Sequence, residues 1–282
     1  MSAKTNKNDF LNYKKSMVTA GLALLVMIIA GVTYQGATPG TGFWNGVIIG
    51  NFARALLGVS AWFGDNYGVG IIIFTVLIRT LILPLMVHQT SSMLKMQEVA
   101  PAIQKLQAKY PNRKDPEQMQ QLQTETSALY KQAGVNPFAS MIPLLVQMPI
   151  LIALYQSIYN TKVLQTGTFL WVQLGQHDHT FILPLLAAFF TFVSSYLVMM
   201  GQPERNTMTS TMTYAMPVMI FLFAINVPSA LSLYWVISNA YQVVQTWTIQ
   251  NPFKIRADRA AKKSAEKARE RAIQKAKHSK KH

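Results

Sequence analysis

Arg79 stands in the middle of an otherwise uncharged apolar run, Gly70–Val87 (GIIIFTVLIRTLILPLMV). Such a run is long and apolar enough to cross a bilayer as a helix. A cation near its centre costs ~3 kcal/mol on insertion scales. It therefore needs water, an anion or a polar partner. At helical rise Arg79 lies roughly 13 Å from either end of the run, which strains any attempt to snorkel to an interface. The position predicts a wet, positively charged cavity inside the membrane.

The rest of the chain fits a membrane setting. Half of its residues are hydrophobic and only 13% are charged, against about 25% in soluble domains. Six apolar stretches stand out: Met17–Tyr34, Gly70–Val87, Phe138–Tyr159, Phe181–Met200, Met212–Val227 and Leu231–Ile249. None of them contains Asp or Glu, so no intramembrane carboxylate is available to neutralise Arg79. Pro143 and Pro149 predict a kink in the third stretch. The fifth and sixth are separated only by Pro228-Ser229-Ala230, which predicts a tight antiparallel helical hairpin. The fold class expected is an all-α membrane protein.

Basic residues set the orientation. With the N-terminus in the cytoplasm, 23 Lys and Arg fall on the inner side and only Arg54 and Lys162 on the outer side. Both termini are then cytoplasmic before any signal cleavage. Residues 1–36 read as an N-terminal signal or a retained anchor span, with Lys14 and Lys15 before the apolar stretch. Segment 43–64 (FWNGVIIGNFARALLGVSAWFG) reads as an amphipathic helix on the outer surface. The chain has no cysteine, which excludes disulfides, thiolate metal sites and a catalytic thiol.

Residues 89–134 form the one sizeable soluble region before the tail. Met93, Met96, Val99, Ile103, Leu106 and Tyr110 recur at helical spacing, as do Met119, Leu122, Thr126, Leu129 and Ala133. Asp115 and Pro116 suit a helix start and Gly134 a helix stop. Two helices packed face to face would also make a docking arm. Its contact residues would be the adaptable Met93 and Met96, with Lys105 and the basic tip Arg113-Lys114. The tail, 251–282, carries twelve of the 26 Lys and Arg. It reads as partly helical or disordered, with anionic lipid and RNA as its two candidate partners.

Polar residues recur inside the apolar stretches. Thr75 lies one turn before Arg79 on the same face. In the last stretch Trp235, Asn239, Gln242 and Thr246 recur at i, i+4, i+7 and i+11, flanked by Ser238 and Gln245. The third contributes Ser140 and Gln147, the fourth Ser194 and Ser195. Singly, such residues serve as interhelical hydrogen-bond glue. Together with a central arginine they outline one hydrophilic surface.

Three blocks now carry a resemblance. TVLIRTLILPLMVHQTSSMLKMQEVAPAIQKLQAKY (75–110), GVNPFASMIPLLVQMPILIALY (134–155) and PSALSLYWVISNAYQVVQ (228–245) resemble, in order and spacing, the signatures of the YidC/Oxa/Alb membrane protein insertases. The likeness is to the short Gram-positive bacterial YidC type. It implies a five-helix transmembrane core, residues 65–250, with spans near 70–87, 138–159, 181–200, 212–227 and 231–249. That core would surround a hydrophilic groove open to the cytosol and lipid, and closed on the outer side. The groove arginine falls on Arg79 and the polar position before it on Thr75. Gln147 takes the third-span glutamine, and Trp235, beside Tyr234, the aromatic of the final span. Asn239 and Gln242 extend this surface. Ala230 stands where glycine is common, and the lipoprotein cysteine of many Gram-positive members is missing.

The resemblance implies an insertase and chaperone for nascent membrane proteins with acidic translocated segments, in the bacterial cell membrane. It would act alone or with the Sec translocon, and with the ribosome, which the tail would contact through ribosomal RNA. No cofactor and no enzymatic activity are expected. An anion transporter using Arg79 is the rival reading, but duplicated halves are not visible. Neither HExxH, a nucleotide-binding glycine loop nor paired intramembrane aspartates occur. His177 and His179 read as outer-loop surface residues and His88 as an interfacial one.

Overall fold

Pro84 falls at a break in the apolar run that holds Arg79. In the computed structural model, α3 (Tyr67–Leu81) and α4 (Leu83–Lys109) meet at Ile82, and their membrane parts are bent by 50°. The single span expected over Gly70–Val87 is therefore a broken one. Proline lacks an N–H and its ring crowds the carbonyl four residues back, here that of Thr80. The first turn of α4 tolerates it because those N–H groups need no partner inside the helix. Beyond the bend α4 continues to Lys109, so the arm expected from residue 89 grows directly out of the membrane helix.

The structure describes residues 16–28, 42–111, 115–136, 142–202, 207–249 and 251–279, without the side chains of 90–94, 142–144, 207–209, 262 and 274–279. The described chain is mostly helical. It begins with α1 (Ser16–Ile28). A π-helical turn, Phe43–Ile49, leads into α2 (Gly50–Ala61), and after α3 and α4 come α5 (Pro116–Ala133), α6 (Ile142–Asn160) and the short α7 (Lys162–Thr166). Strands β1 (Thr168–Phe169) and β2 (Val172–Gln173) pair antiparallel. Then follow α8 (Ile182–Met200), α9 (Thr207–Ala224), α10 (Ser229–Ile249) and α11 (Pro252–Ser279). Among the described residues, α8 alone is long and apolar enough to cross a membrane unbroken, and the bent α3–α4 pair can count as a second span.

Helix α8 sits between α9 and α10, and α10 reaches on to α3. The α9–α10 pair expected as a tight hairpin is joined by the four residues Ile225–Pro228, and each helix packs mainly on α8. Segment 43–64 is a π-helical turn plus α2 rather than one helix, and α2 packs on α3 and α6 with Leu56 and Val59 fully buried. Gly70 allows this approach: a Cβ there would lie 1.9 Å from Ser60 Oγ. Trp44 Nε1 donates to Gln156 Oε1 at 2.8 Å and Ser157 Oγ to Ile49 O at 3.1 Å, tying the segment to α6.

Between α6 and α8 the chain folds into a plug. Leu164 and Leu174 are fully buried in the core, and Phe169 lies where a Cβ on Gly68 would sit. Ser229 N donates to Gln176 O at 2.6 Å and Ala230 N to Leu174 O at 3.0 Å. These bonds satisfy N–H groups that the start of α10 cannot pair internally. Asp178, buried in the plug, accepts from Thr180 N (2.9 Å), Thr180 Oγ1 (2.6 Å) and Leu183 N (2.8 Å). It caps α8. Beside it the His177 and His179 rings lie exposed, 4.1 Å apart.

The arm is lightly held. Asp115 caps α5 by accepting from Glu117 N at 3.0 Å, and Gly134 ends it with φ 61. Yet α5 buries no residue. Its clasp to α4 is Glu125, which accepts from Tyr110 Oη at 2.8 Å and Lys109 Nζ at 3.1 Å. The Tyr110 bond first, then Lys109, holds the Glu125 carboxyl below its ordinary range. In turn Glu125 raises Lys109. The tail expected as partly helical or disordered is helical over Pro252–Ser279, with Arg259 donating to Gly201 O beside the end of α8.

Burial pushes the Asp178 carboxyl up, but bonds from Thr180 and Leu183 outweigh it and hold the group below its ordinary range. Its folded pKa is thus depressed, so its stabilisation is present at neutral pH and lost as pH falls below the usual carboxylate value of about 3.9. Asp178→Ala should cost about 1–2 kcal/mol at pH 7, and the cost should shrink progressively as pH falls below about 3.9, measured by thermal unfolding in detergent.

Candidate functional site

Helices α3, α6 and α10 converge around Arg79. Its position in the last turn of α3 follows from the uninterrupted helix that runs from the Asn66 cap, where the side chain accepts from Val69 N at 3.1 Å. The Arg79 side chain is half-buried, and its Nε is enclosed without a hydrogen-bond partner. Its electrostatic neighbours are the phenols of Tyr234 and Tyr241, both on α10. Among the described residues it forms no ion pair.

Gln147 and Tyr234 come together. Gln147 Nε2 on α6 donates to Tyr234 Oη at 2.5 Å, and Tyr234 is buried to 2% exposure. This bond fastens α6 to α10 next to the arginine. Thr75 is fully buried, and its hydroxyl donates to Ile71 O at 2.6 Å within α3. Although it shares Arg79's helical face, its polar atom is spent on its own helix.

None of the other residues of the expected surface is hydrogen-bonded to Arg79. Trp235 packs partly against the core. Asn239 Nδ2 donates to Trp235 O at 3.0 Å and Gln242 Nε2 to Thr246 Oγ1 at 3.4 Å. Both bonds run along α10. The electrostatic neighbours of Arg79 lie one residue earlier, at Tyr234 and Tyr241, with Ser238 between them on the same helical face, a step of about 100° around the helix. Ser238 is buried and its Oγ has no hydrogen-bond partner. Tyr241 Oη lies 3.1 Å from Thr80 Oγ1 on α3. Sequence spacing did not single out Tyr241 or Thr80, although Tyr241 follows Tyr234 at i+7.

On the arm, Met96 is half-buried and Lys105 exposed. The Met93 side chain, Arg113 and Lys114 lie outside the described residues. No group of three or more His, Cys, Asp or Glu suited to a metal occurs among the described residues. The chemistry on offer is therefore electrostatic and hydrogen-bonding: one cation, two phenols, an amide and a hydroxyl at membrane depth.

Comparisons with known proteins converge. The family model described as 60Kd inner membrane protein matches residues 58–257. The chain is 55% identical over 252 residues to Membrane protein insertase YidC 2 of Lactiplantibacillus plantarum, covering 89% of this chain and 91% of that one. It is 48% identical to Membrane protein insertase YidC of Pediococcus pentosaceus, with 88% and 90% covered. A solved crystal structure of an active YidC insertase, with its first transmembrane domain resolved, shares the fold with a TM-score of 0.57 at 24% identity. That match covers 74% of this chain and 48% of the longer one.

Tyr234→Phe removes the acceptor of the Gln147 amide and leaves a donor unpaired. It should cost about 1 kcal/mol, read as a lowered midpoint of thermal unfolding in detergent.

Proposed function

This chain belongs to the 60Kd inner membrane protein family, and from that premise we propose that it inserts client membrane proteins into the bacterial cell membrane and helps them fold. Members of this family work as insertion factors and not as enzymes. The protein itself lies in the membrane. In the reading proposed here it crosses five times through its core, with both termini cytoplasmic before any signal cleavage, as the basic residues on one side require.

One observation carries the proposal: Arg79 is a cation at membrane depth with no carboxylate partner among the described residues. A guanidinium neutralised by a resident acid would have little left to offer a client. Left with neutral phenols, it keeps a field that attracts the acidic segment to be translocated. The groove of this mechanism is centred on Arg79, with Gln147 and Tyr234 bonded beside it and Thr75, Trp235, Asn239 and Gln242 on the helices that would form its walls. Water in the groove shortens the apolar path the client's polar segment must cross. Partition of the client's own apolar span into lipid, at ~25 cal/mol per Å² of area buried, together with the membrane potential, drives the remaining step. The protein needs no nucleotide or cofactor for this.

The arm and the tail serve delivery. Because α5 buries no residue, the hairpin keeps apolar and basic surface for the client or its targeting machinery, through Met93, Met96, Lys105, Arg113 and Lys114. Helix α11 presents Lys254, Arg256, Lys263, Lys267, Arg269 and Arg271 on an exposed rod. Ribosomal RNA and anionic lipid are its partners of matching charge, and the Sec translocon is a further partner.

Reconstitution in liposomes with a single-span client bearing an acidic tail tests the capture step. Arg79→Ala should lower its insertion about tenfold, the factor carried by about 1.4 kcal/mol. Arg79→Lys should keep part of the activity, because a point charge suffices where no bidentate geometry is needed. Normal insertion by Arg79→Ala in every assay removes electrostatic capture. For the tail, deletion of 251–282 should weaken ribosome binding and flatten its salt dependence. Unchanged binding assigns the tail to lipid alone.

A further inference from the structure

The hairpin of the plug has a tip that is apolar, exposed and held at an unusual backbone angle. Strands β1 and β2 pair Phe169 with Val172, so Leu170 and Trp171 form the two-residue turn between them. Both neighbours of the turn are packed inward. Phe169 lies against Gly68 at the start of α3, and Val172 is buried in the core. The tip itself is bare: Leu170 is 73% exposed, and Trp171 is exposed beside it. Leu170 also has φ 51. Two-residue hairpin turns use this left-handed region, and Gly or Asn usually fills it. A bulky side chain there is strained. Among the described residues, the non-glycine positions with positive φ are Asp65, Leu170 and Phe181. Phe181, directly before α8, is exposed as well. Two large apolar side chains are thus held on strained backbone without being buried in the protein.

We propose that the Leu170–Trp171 tip is embedded in the headgroup boundary of the bilayer leaflet on the plug side, and anchors the plug there. The hairpin sits at the right level. It packs on the first turn of α3, where a Cβ on Gly167 would lie 2.7 Å from Tyr67 Cδ2. Trp62 and Phe63, in the turn that leads into α3, are exposed at this same end. The surface is also continuous with one that faces lipid. Phe181, Leu185 and Phe189 follow each other at four-residue spacing and are all exposed, on the helix that is long and apolar enough to cross the membrane unbroken. From Val163 to Gln176 the chain carries no charged residue, so insertion of the tip desolvates no ion. Aromatic side chains at the ends of membrane helices settle at headgroup level. Water offers an exposed Leu–Trp pair no gain, whereas lipid takes its apolar area out of water. The anchor does not depend on how Arg79 treats a client.

Because the chain has no cysteine, Leu170→Cys gives it a single thiol for an environment-sensitive fluorophore. Leu170 is exposed, so this change leaves the packed side of the hairpin untouched. Trp171→Cys supplies a second probe in the same turn. His177→Cys, at an exposed polar position of the same plug, is the reference. Each full-length variant would be reconstituted in phosphatidylcholine–phosphatidylglycerol liposomes, with and without lipid spin-labelled near the headgroup end of its acyl chain. The probes at 170 and 171 should emit to the blue of the probe at 177. Spin-labelled lipid should quench them about twofold or more strongly than the reference, as expected of side chains at headgroup level. Iodide in the water should quench in the opposite order. Equal responses at 170 and 177 to either quencher place the tip no deeper than the rest of the plug and overturn the proposal. Shielding from iodide without quenching by lipid means that a second copy of the chain covers the tip, and overturns it as well.

Discussion

An arginine set among apolar helices, with no acid paired to it among the described residues, is the constraint from which the rest of this structure follows. Burying a charge is tolerable only where polar groups or water take over its solvation. Here its electrostatic neighbours are the neutral phenols of Tyr234 and Tyr241, which do not cancel the charge of a cation. The helices that supply polar atoms, α3, α6 and α10, are accordingly cross-linked by side-chain hydrogen bonds at this level. Elsewhere the helix contacts are chiefly apolar, through residues such as Phe74, Leu154 and Ala187.

Two further features gain meaning from that constraint. The plug formed by 161–180 closes one end of the bundle with buried leucines and satisfies the first N–H groups of α8 and α10. Its aspartate, Asp178, ties the loop to the first turn of α8 through Leu183 N. At the other end the 50° bend at Ile82 turns α4 away from the bundle and carries it into the arm. One end of the bundle thus carries the buried plug and the other ends in a lightly clasped pair of helices. Such asymmetry suits a device loaded from one side.

Much of this was legible from residue types alone. Arg79 announced a polar environment because its insertion cost is large compared with any single packing term. The ends of α8 followed from Phe181–Met200, where an unbroken apolar run meets loop residues on both sides. The bend at Ile82 was harder to foresee, since Pro84 is compatible with a first helical turn as well as with a kinked span. The residues of α10 beside Arg79, Tyr234 and Tyr241, lie one position before Trp235 and Gln242. Trp235–Asn239–Gln242 and Tyr234–Ser238–Tyr241 have the same spacing, and periodicity cannot say which of two adjacent polar registers faces a neighbour. The plug was invisible because Asp178 acts through backbone N–H groups, which a sequence does not display. Family likeness placed Gln147 and Tyr234 at one site, and spacing could not have joined residues on separate helices.

The central claim is that water reaches the depth of Arg79 from the face bearing the arm and tail. Because the chain lacks cysteine, Arg79→Cys introduces a single thiol whose modification by a membrane-impermeant anionic reagent can be followed in oriented vesicles. The account predicts rapid modification when the reagent is supplied on the arm-and-tail face and protection when it is supplied on the plug face. Protection from both faces would mean a side chain sealed in hydrocarbon, and would contradict it.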